Sequence, residues 1–225
     1  MSPQKEFLTG FRDELPLLLG VMPFGMIYGI LALAADLSTA EAQAMSVIVF
    51  AGSAQFMLVQ LMAVGTPALV IIVTGFIINL RHALYSASIA PHIKYLSPLW
   101  KTLLSYLLTD EAYAIAITRY YKRDAGRHKH FYFLGAGLAL WSSWQVSTAV
   151  GVFLGAQIPS SWSLDFTLAL TFIAIVVPAL KDRPSILAAL SASITAVATI
   201  SLPYKLNLIV AAIVGIVVGL WSEKA

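Results

Sequence analysis

The sequence predicts an all-α polytopic membrane protein, a bundle of about eight transmembrane helices, some of them kinked or broken. Hydrophobic residues make up 59% of the 225 residues and charged residues 11%, against roughly 45–50% and about 25% in soluble domains. The mean hydropathy of +0.83 is too high for a protein whose whole outside faces water. Lipid is therefore the expected solvent, and we expect no separate soluble domain.

Apolar stretches of bilayer length follow one another along the chain. A span needs about 20 apolar residues, so we predict spans near residues 15–35, 42–64, 67–90, 98–120, 131–155, 162–180, 184–201 and 205–221. Seven spans are the alternative, because only Leu202, Pro203 and Tyr204 separate the last two stretches. The first stretch is longer than the apolar region of a signal peptide, so we expect it to stay in place as a span.

Basic residues predict the orientation, because loops rich in lysine and arginine stay cytoplasmic. With a cytoplasmic N-terminus, the inner segments hold Lys5, Arg12, Arg119, Lys122, Arg123, Arg127, Lys129, Lys181, Arg183 and Lys224. The predicted outer loops hold Lys94, Lys101 and Lys205. Both termini are therefore predicted to be cytoplasmic. The basic loop Arg119–His130 joins two halves, 1–120 and 131–221, of a single transmembrane domain, residues 1–225.

Pairs of glycines one helical turn apart occur in three predicted spans. They are Gly25 and Gly29, Gly151 and Gly155, and Gly215 and Gly219. Small residues at this spacing allow two helix backbones to approach closely in a membrane. We expect these faces to pack inside one bundle, with contact to another subunit as the alternative.

Arg81 lies late in the third predicted span, where an ionisable side chain costs at least about 2.5–3.5 kcal/mol on insertion scales. If this segment is helical, Arg81, Tyr85 and Ser88 form one polar stripe. Asn79 and His82 flank Arg81. The guanidinium fork matches the two oxygens of a carboxylate, so Arg81 is a candidate substrate ligand, with Asn79 and Tyr85 beside it. A structural or headgroup-facing arginine is the alternative.

Asp110 and Glu111 are adjacent acidic residues inside the fourth predicted span. At 100° per residue they cannot share a helix face. Asp110 falls on a stripe with Tyr106 and Tyr113, whose hydroxyls would orient it, so we predict that Asp110 faces inward and binds substrate. Asp110, Glu111 and His82 are the candidates for proton coupling. A purely structural ion pair between Arg81 and Asp110 is the competing interpretation.

Uncharged polar residues supply further candidates. Gln55 follows the small residues Gly52, Ser53 and Ala54, which favour local unwinding, and we include it as a candidate substrate ligand. Gln145 is expected to join neighbouring helices by hydrogen bonds, which is also the alternative for Gln55.

Several functional classes are disfavoured by the residues. The chain has no cysteine, no GxSxG and no HExxH, so we predict no enzyme activity, no metal site and no cofactor. The net charge of +3 is scattered over loops, which argues against nucleic-acid binding. A solute carrier is the favoured class, and a channel or assembly subunit is the alternative.

Four motifs, in this order, resemble the AzlC family, the large permease subunit of bacterial branched-chain amino acid exporters. They are FAGSAQF (Phe50–Phe56), NLRHALYSASIAPH (Asn79–His92), LLTDEAYA (Leu107–Ala114) and VPALKDRP (Val177–Pro184). The resemblance extends from the first span to about residue 200. It implies a multi-pass protein of the bacterial cytoplasmic membrane that exports L-valine and related amino acids with a small AzlD-type membrane subunit.

Overall fold

The structure is a computed structural model that describes residues 2–121, 128–157, 180, 182–203 and 206–223. The regular secondary structure of these residues is helical, which confirms the predicted all-α fold. The helices are α1 (Pro3–Ala34), α2 (Thr39–Val49), α3 (Gly52–Ala63), α4 (Ala68–Asn79), α5 (Arg81–Ile93), α6 (Pro98–Tyr106), α7 (Asp110–Tyr120), α8 (Lys129–Gly155), α9 (Arg183–Ala198) and α10 (Leu206–Glu223). The predicted span 162–180 lies outside the described residues except for Leu180.

The described residues form two compact units. The larger contains the chain up to Ala63 and from Gly75 to the end of α8, and the smaller contains Val64–Thr74 with α9 and α10. Within the smaller unit α9 and α10 pack closely, since a Cβ on Gly215 would lie 3.0 Å from the Cβ of Ala192. Three stretches, Pro3–Ala34, Ala68–Ile93 and Leu206–Glu223, are long and apolar enough to cross a membrane.

Helices α1 and α8 run parallel to each other and form the main helix pair of the larger unit. A Cβ on Gly10 would lie 2.0 Å from the Tyr132 carbonyl oxygen, and one on Gly151 would lie 2.0 Å from that of Met26. Contacts this short leave no room for any side chain, so the two backbones touch along most of their length. The glycine pairs of α1 and α8 thus pack inside one bundle, as predicted.

The segment predicted as the fourth span is a helical hairpin rather than one crossing. At the start of α6, the Trp100 ring lies 5.0 Å from that of His130, at the beginning of α8. At the end of α7, the Tyr120 ring lies 4.9 Å from the Lys129 ammonium nitrogen. Both ends of α6–α7 therefore lie at the N-terminal end of α8. The chain reverses at Leu107–Thr109, and the prediction of a single helix over 98–120 is wrong because Thr109 caps a new helix, accepting from Ala112 N–H.

The second predicted span is also broken, between α2 and α3. Helix α2 starts just after α1 ends, at a capping box in which hydrogen bonds from Ser38 lower the pKa of the exposed Glu41 carboxyl. It ends at Phe50, whose φ of 23° is incompatible with a continuing helix. Within the larger unit, helix α3 runs antiparallel to the segment from Gly75 into α5, since Gly75 lies against Leu58 and Arg81 bonds to Ser53.

Helices α2 and α3 form a second hairpin, because Tyr28 of α1 contacts both Ala42 of α2 and Phe56 of α3, and the two hairpins meet near their tips. The Phe50 and Tyr106 rings lie 6.0 Å apart. Tyr106 donates a hydrogen bond of 2.7 Å to the Val47 carbonyl and accepts one of 2.7 Å from Trp141 Nε1. The tips therefore lie beside the middle of α8.

The α6–α7 hairpin changes the predicted location of two lysines. Tyr95 and Trp100, which lie beside Lys94 and Lys101, both face the His130 ring. The loop from α5 to α6 is thus at the same end as the basic start of α8, not at the opposite end, as the predicted outer loop required. Lys94 and Lys101 therefore lie at the end that carries the basic start of α8, so they support the predicted orientation instead of opposing it.

Candidate functional site

Two helices, α3 and α7, begin at one point in the larger unit, and Arg81, at the junction of α4 and α5, joins them. Arg81 is the first residue of α5, and its Nη1 donates to the carboxylate of Asp110, the first residue of α7. Its Nη2 donates to the Ser53 hydroxyl, at the start of α3, over 2.7 Å. The side chains of Arg81 and Asp110 are 30% and 40% exposed. The structure therefore brings together the two charged residues that the sequence singled out.

The broken helices turn their N-termini toward this point. The first backbone N–H groups of a helix have no partner within it and carry a partial positive charge. In α3 the N–H of Gln55 already bonds to the Ala51 carbonyl, so the N–H groups before it are not used by the helix. Converging helix starts and a guanidinium form a site suited to a carboxylate.

Polar atoms around the Arg81–Asp110 pair lack partners among the described residues. Both donors and acceptors are represented, all shielded from solvent. They are Arg81 Nε, His82 Nε2, Asn79 Oδ1, Asp110 Oδ1 and both amide atoms of Gln55. A buried polar group without a hydrogen bond costs roughly 1–3 kcal/mol. Such a cluster is well suited to a ligand that carries donors and acceptors of its own.

Arg81, Tyr85 and Ser88 form one polar stripe on α5, as predicted, and the structure places this stripe against α7. The Tyr85 ring stacks on Tyr113, with centroids 4.5 Å apart, and Tyr113 donates to the Ser88 hydroxyl over 2.9 Å. Tyr85 also lies near enough to Asp110 to interact with it electrostatically. Tyr85 therefore forms one wall of the site.

The predicted stripe of Asp110 with Tyr106 is wrong, whereas Tyr113 lies one turn after Asp110 in α7. The Tyr106 hydroxyl bonds to Val47 and Trp141, and the Tyr113 hydroxyl donates to Ser88. The helix breaks between Tyr106 and Asp110, and helical periodicity does not extend across the break.

Tyr106 supports the tips of the hairpins, and Tyr106→Phe tests this role. We expect the variant to lose about 1 kcal/mol of stability, because the Val47 carbonyl near the end of α2 loses its donor. The midpoint of thermal unfolding in detergent measures the loss. Tyr121→Phe is the matched control, since Tyr121 is 72% exposed. Equal midpoints for the two variants would contradict this role.

Gln55 lies close to a cluster of aromatic side chains from α1, α3 and α8. It is fully buried and close to Tyr28, whose ring stacks on Trp144 at 6.3 Å and meets Phe56 edge-on at 6.4 Å. Gln145 joins helices as expected, bonding to Gln43 and to the Ser46 carbonyl.

A cavity of about 290 Å³ is lined by both apolar and polar side chains, among them Lys94, Lys101 and Leu108. It lies between α5, α6 and α8. Its apolar lining comes mainly from Ile89, Ile93, Leu104, Leu108 and Phe133.

Several paired or buried polar residues of the larger unit, in the site and away from it, have no strong sequence signal. Ser53 is one hydroxyl among many, and only the fold brings it to Arg81. Glu6 pairs with Arg119 over 3.0 Å, with the two side chains 1% and 8% exposed. Glu14 is fully buried, although it precedes the first predicted span. A search for acidic residues within helical reach of a span start would have found Glu14. Among the described residues no group of three or more His, Asp and Glu is placed to hold a metal ion.

Comparison with known proteins agrees with this architecture. The family described as AzlC protein matches residues 16–158. Inner membrane protein YgaZ of Escherichia coli (strain K12) is 28% identical over 221 residues, which are 95% of this chain and 87% of YgaZ. An uncharacterized membrane protein of Archaeoglobus fulgidus is 28% identical over 229 residues, covering 100% of this chain and 99% of its own. No solved structure matches the chain.

Proposed function

Because this chain belongs to the AzlC family of membrane proteins, we propose that it exports branched-chain amino acids such as L-valine across the bacterial cytoplasmic membrane. In this proposal the chain is the large permease subunit, works with a small AzlD-type membrane subunit, and is coupled to protons. The observation that carries the proposal is the convergence of the starts of α3 and α7 on the Arg81–Asp110 pair.

A branched-chain amino acid is a zwitterion with an aliphatic side chain, and the site offers a partner for each part. The substrate carboxylate binds Arg81 and the free N–H groups at the start of α3. The substrate ammonium binds Asp110 and the side-chain amide oxygens of Gln55 and Asn79. These two amide oxygens lack partners among the described residues. Broken helices that present backbone groups near the middle of the membrane are a common way of binding zwitterions in transporters.

The aliphatic side chain needs an apolar environment, and two features support one. The lining of the cavity between α5, α6 and α8 includes the aliphatic side chains of Ile89, Ile93, Leu104 and Leu108. The aromatic group of Tyr28, Phe56 and Trp144 lies next to Gln55. His82 and Glu111 adjoin the pair and remain candidates for proton coupling, with Asp110.

Counterflow in liposomes tests the proposal. Liposomes that contain the purified chain, loaded with unlabelled L-valine, are expected to take up labelled L-valine transiently and with saturation. Unlabelled L-leucine should compete, and L-aspartate should not, because the site has one cation for one carboxylate. The assay is run with and without the small subunit.

The channel or assembly subunit is the second candidate, and the same assay separates it from a carrier. An open pore equilibrates label without saturable counterflow. Label uptake that rises linearly with concentration, or no uptake with either composition, would contradict the proposed carrier.

A further inference from the structure

Glu14 lies in the interior of α1 with no partner for its charge. Its side chain is 0% exposed, and neither carboxylate oxygen has a hydrogen-bond partner among the described residues. An isolated ionised carboxylate in such a place is very costly, and proteins avoid that cost by pairing or neutralising the group. Glu14 therefore needs a proton or a cation that the described residues do not supply.

A second carboxyl, that of Glu111, is close enough to Glu14 to interact with it electrostatically. The register of α1 against α7 supports their proximity. Glu6 pairs with Arg119, and Glu14 lies eight residues after Glu6 just as Glu111 lies eight residues before Arg119. Since eight residues of helix span about 12 Å, the two acidic residues form the next level of the same antiparallel contact.

The two carboxyls differ in the neighbouring groups that stabilise their negative charge. Glu111 interacts with the Thr109 side chain and its own backbone N–H, at the positive start of α7, and with Arg81. Glu14 has no such donors. Burial opposes the charged form of both carboxyls, but with these donors Glu111 is better suited than Glu14 to carry the negative charge, and Glu14 to carry the proton.

The surrounding elements add few other titratable groups. Tyr132 of α8 faces Glu14 and donates to Asp13 over 2.6 Å. Asp110 and Arg81 face Glu111. Helix α3 has no titratable side chain, and that of α2, Glu41, lies in the first turn of α2.

We propose that Glu14 and Glu111 form a proton-binding pair that holds one proton between them, between the Arg81–Asp110 site and the Glu6–Arg119 pair. Two close carboxyls titrate as a unit, because the second charge is disfavoured by the first. The proton binds to a carboxylate oxygen from one side of the membrane and leaves to the other, with no other bond formed or broken. That it drives export rests on the proposed function, whereas the proton site itself does not.

Infrared difference spectroscopy of the protein in sodium-free liposomes tests the site without any substrate. Changing the pH should reveal the C=O band of a protonated, buried carboxyl in the unmodified protein. We expect Glu14→Gln to remove this band and Glu111→Gln to alter its dependence on pH. Asp36→Asn, at an exposed turn, is the control and should change neither. An unaltered band in Glu14→Gln overturns the site. If that variant does not fold, Glu14→Asp takes its place, and an unshifted band overturns the site.

Transport assays test the coupling. Glu14→Gln should retain L-valine counterflow within about twofold of the unmodified rate, since exchange needs no net proton movement. The rate of transport driven by a pH gradient should fall at least about tenfold. Gradient-driven transport at the unmodified rate would overturn the coupling role. If the unmodified protein shows no counterflow but Glu14→Gln removes the infrared band, the proposed function fails and the proton site stands.

Discussion

Asp110→Asn and Arg81→Gln are each expected to reduce L-valine counterflow at least about tenfold, because each removes one charge that matches the zwitterion. The structure brings these side chains into direct contact and adds Ser53 as a second partner of Arg81. Initial rates of labelled uptake in liposomes, corrected for the amount of folded protein, measure the loss.

Two exposed residues supply the controls. Asp36→Asn makes the same chemical change as Asp110→Asn at an exposed turn, where the φ of 63° suits asparagine. Arg12→Gln matches Arg81→Gln at an exposed position of α1. Both controls should transport at the unmodified rate.

A charge exchange separates substrate binding from a purely structural ion pair. The double variant Arg81→Asp, Asp110→Arg keeps one charge of each sign at the starts of α5 and α7. If the pair only holds the helices together, the exchange should restore both folding and counterflow. If the pair binds substrate, we expect folding without counterflow, because the carboxylate and ammonium sites are then reversed. Recovery of counterflow would contradict the assigned ligands.

Gly151→Ala is expected to destabilise the protein by about 1–3 kcal/mol, the usual cost of forcing an extra group into a packed interior. The new Cβ would lie 2.0 Å from the Met26 carbonyl oxygen, so α1 and α8 must separate. The midpoint of thermal unfolding in detergent should fall.

Gly20→Ala is the matched control on α1. A Cβ at Gly20 meets no heavy atom within 4 Å, and alanine is the better helix former, so its midpoint should stay level or rise. Equal midpoints for Gly151→Ala and Gly20→Ala would contradict the close contact of α1 with α8.

Much of the site could be predicted from the cost of charge in lipid. Arg81 and Asp110 were selected because each lies in an apolar stretch, and the structure pairs them. The stripe of Arg81, Tyr85 and Ser88 was predicted correctly because it lies within one helix, α5. The stripe that joined Tyr106 to Asp110 failed because a helix ends between them.

Contacts between distant segments could not be predicted in this way. Ser53 and Arg81 are 28 residues apart, and Glu6 and Arg119 are 113 apart. The neighbouring sequence does not distinguish these partners, since a serine or a glutamate can have the same sequence neighbours whether it faces a loop or a cation. Glu14 was missed for a related reason, because α1 starts at Pro3, well before the apolar stretch begins.

The amino-acid sequence by itself determined the solvent and the class of fold, because apolar content and the cost of unpaired backbone groups leave helices as the structure for lipid. It also determined which residues are too costly to be there without a role. Only the tertiary structure decided that two apolar stretches turn back as hairpins. A stretch of about 20 apolar residues has the same composition whether it crosses the membrane or turns back as a hairpin. Packing against α1 and α8 decides between the two paths.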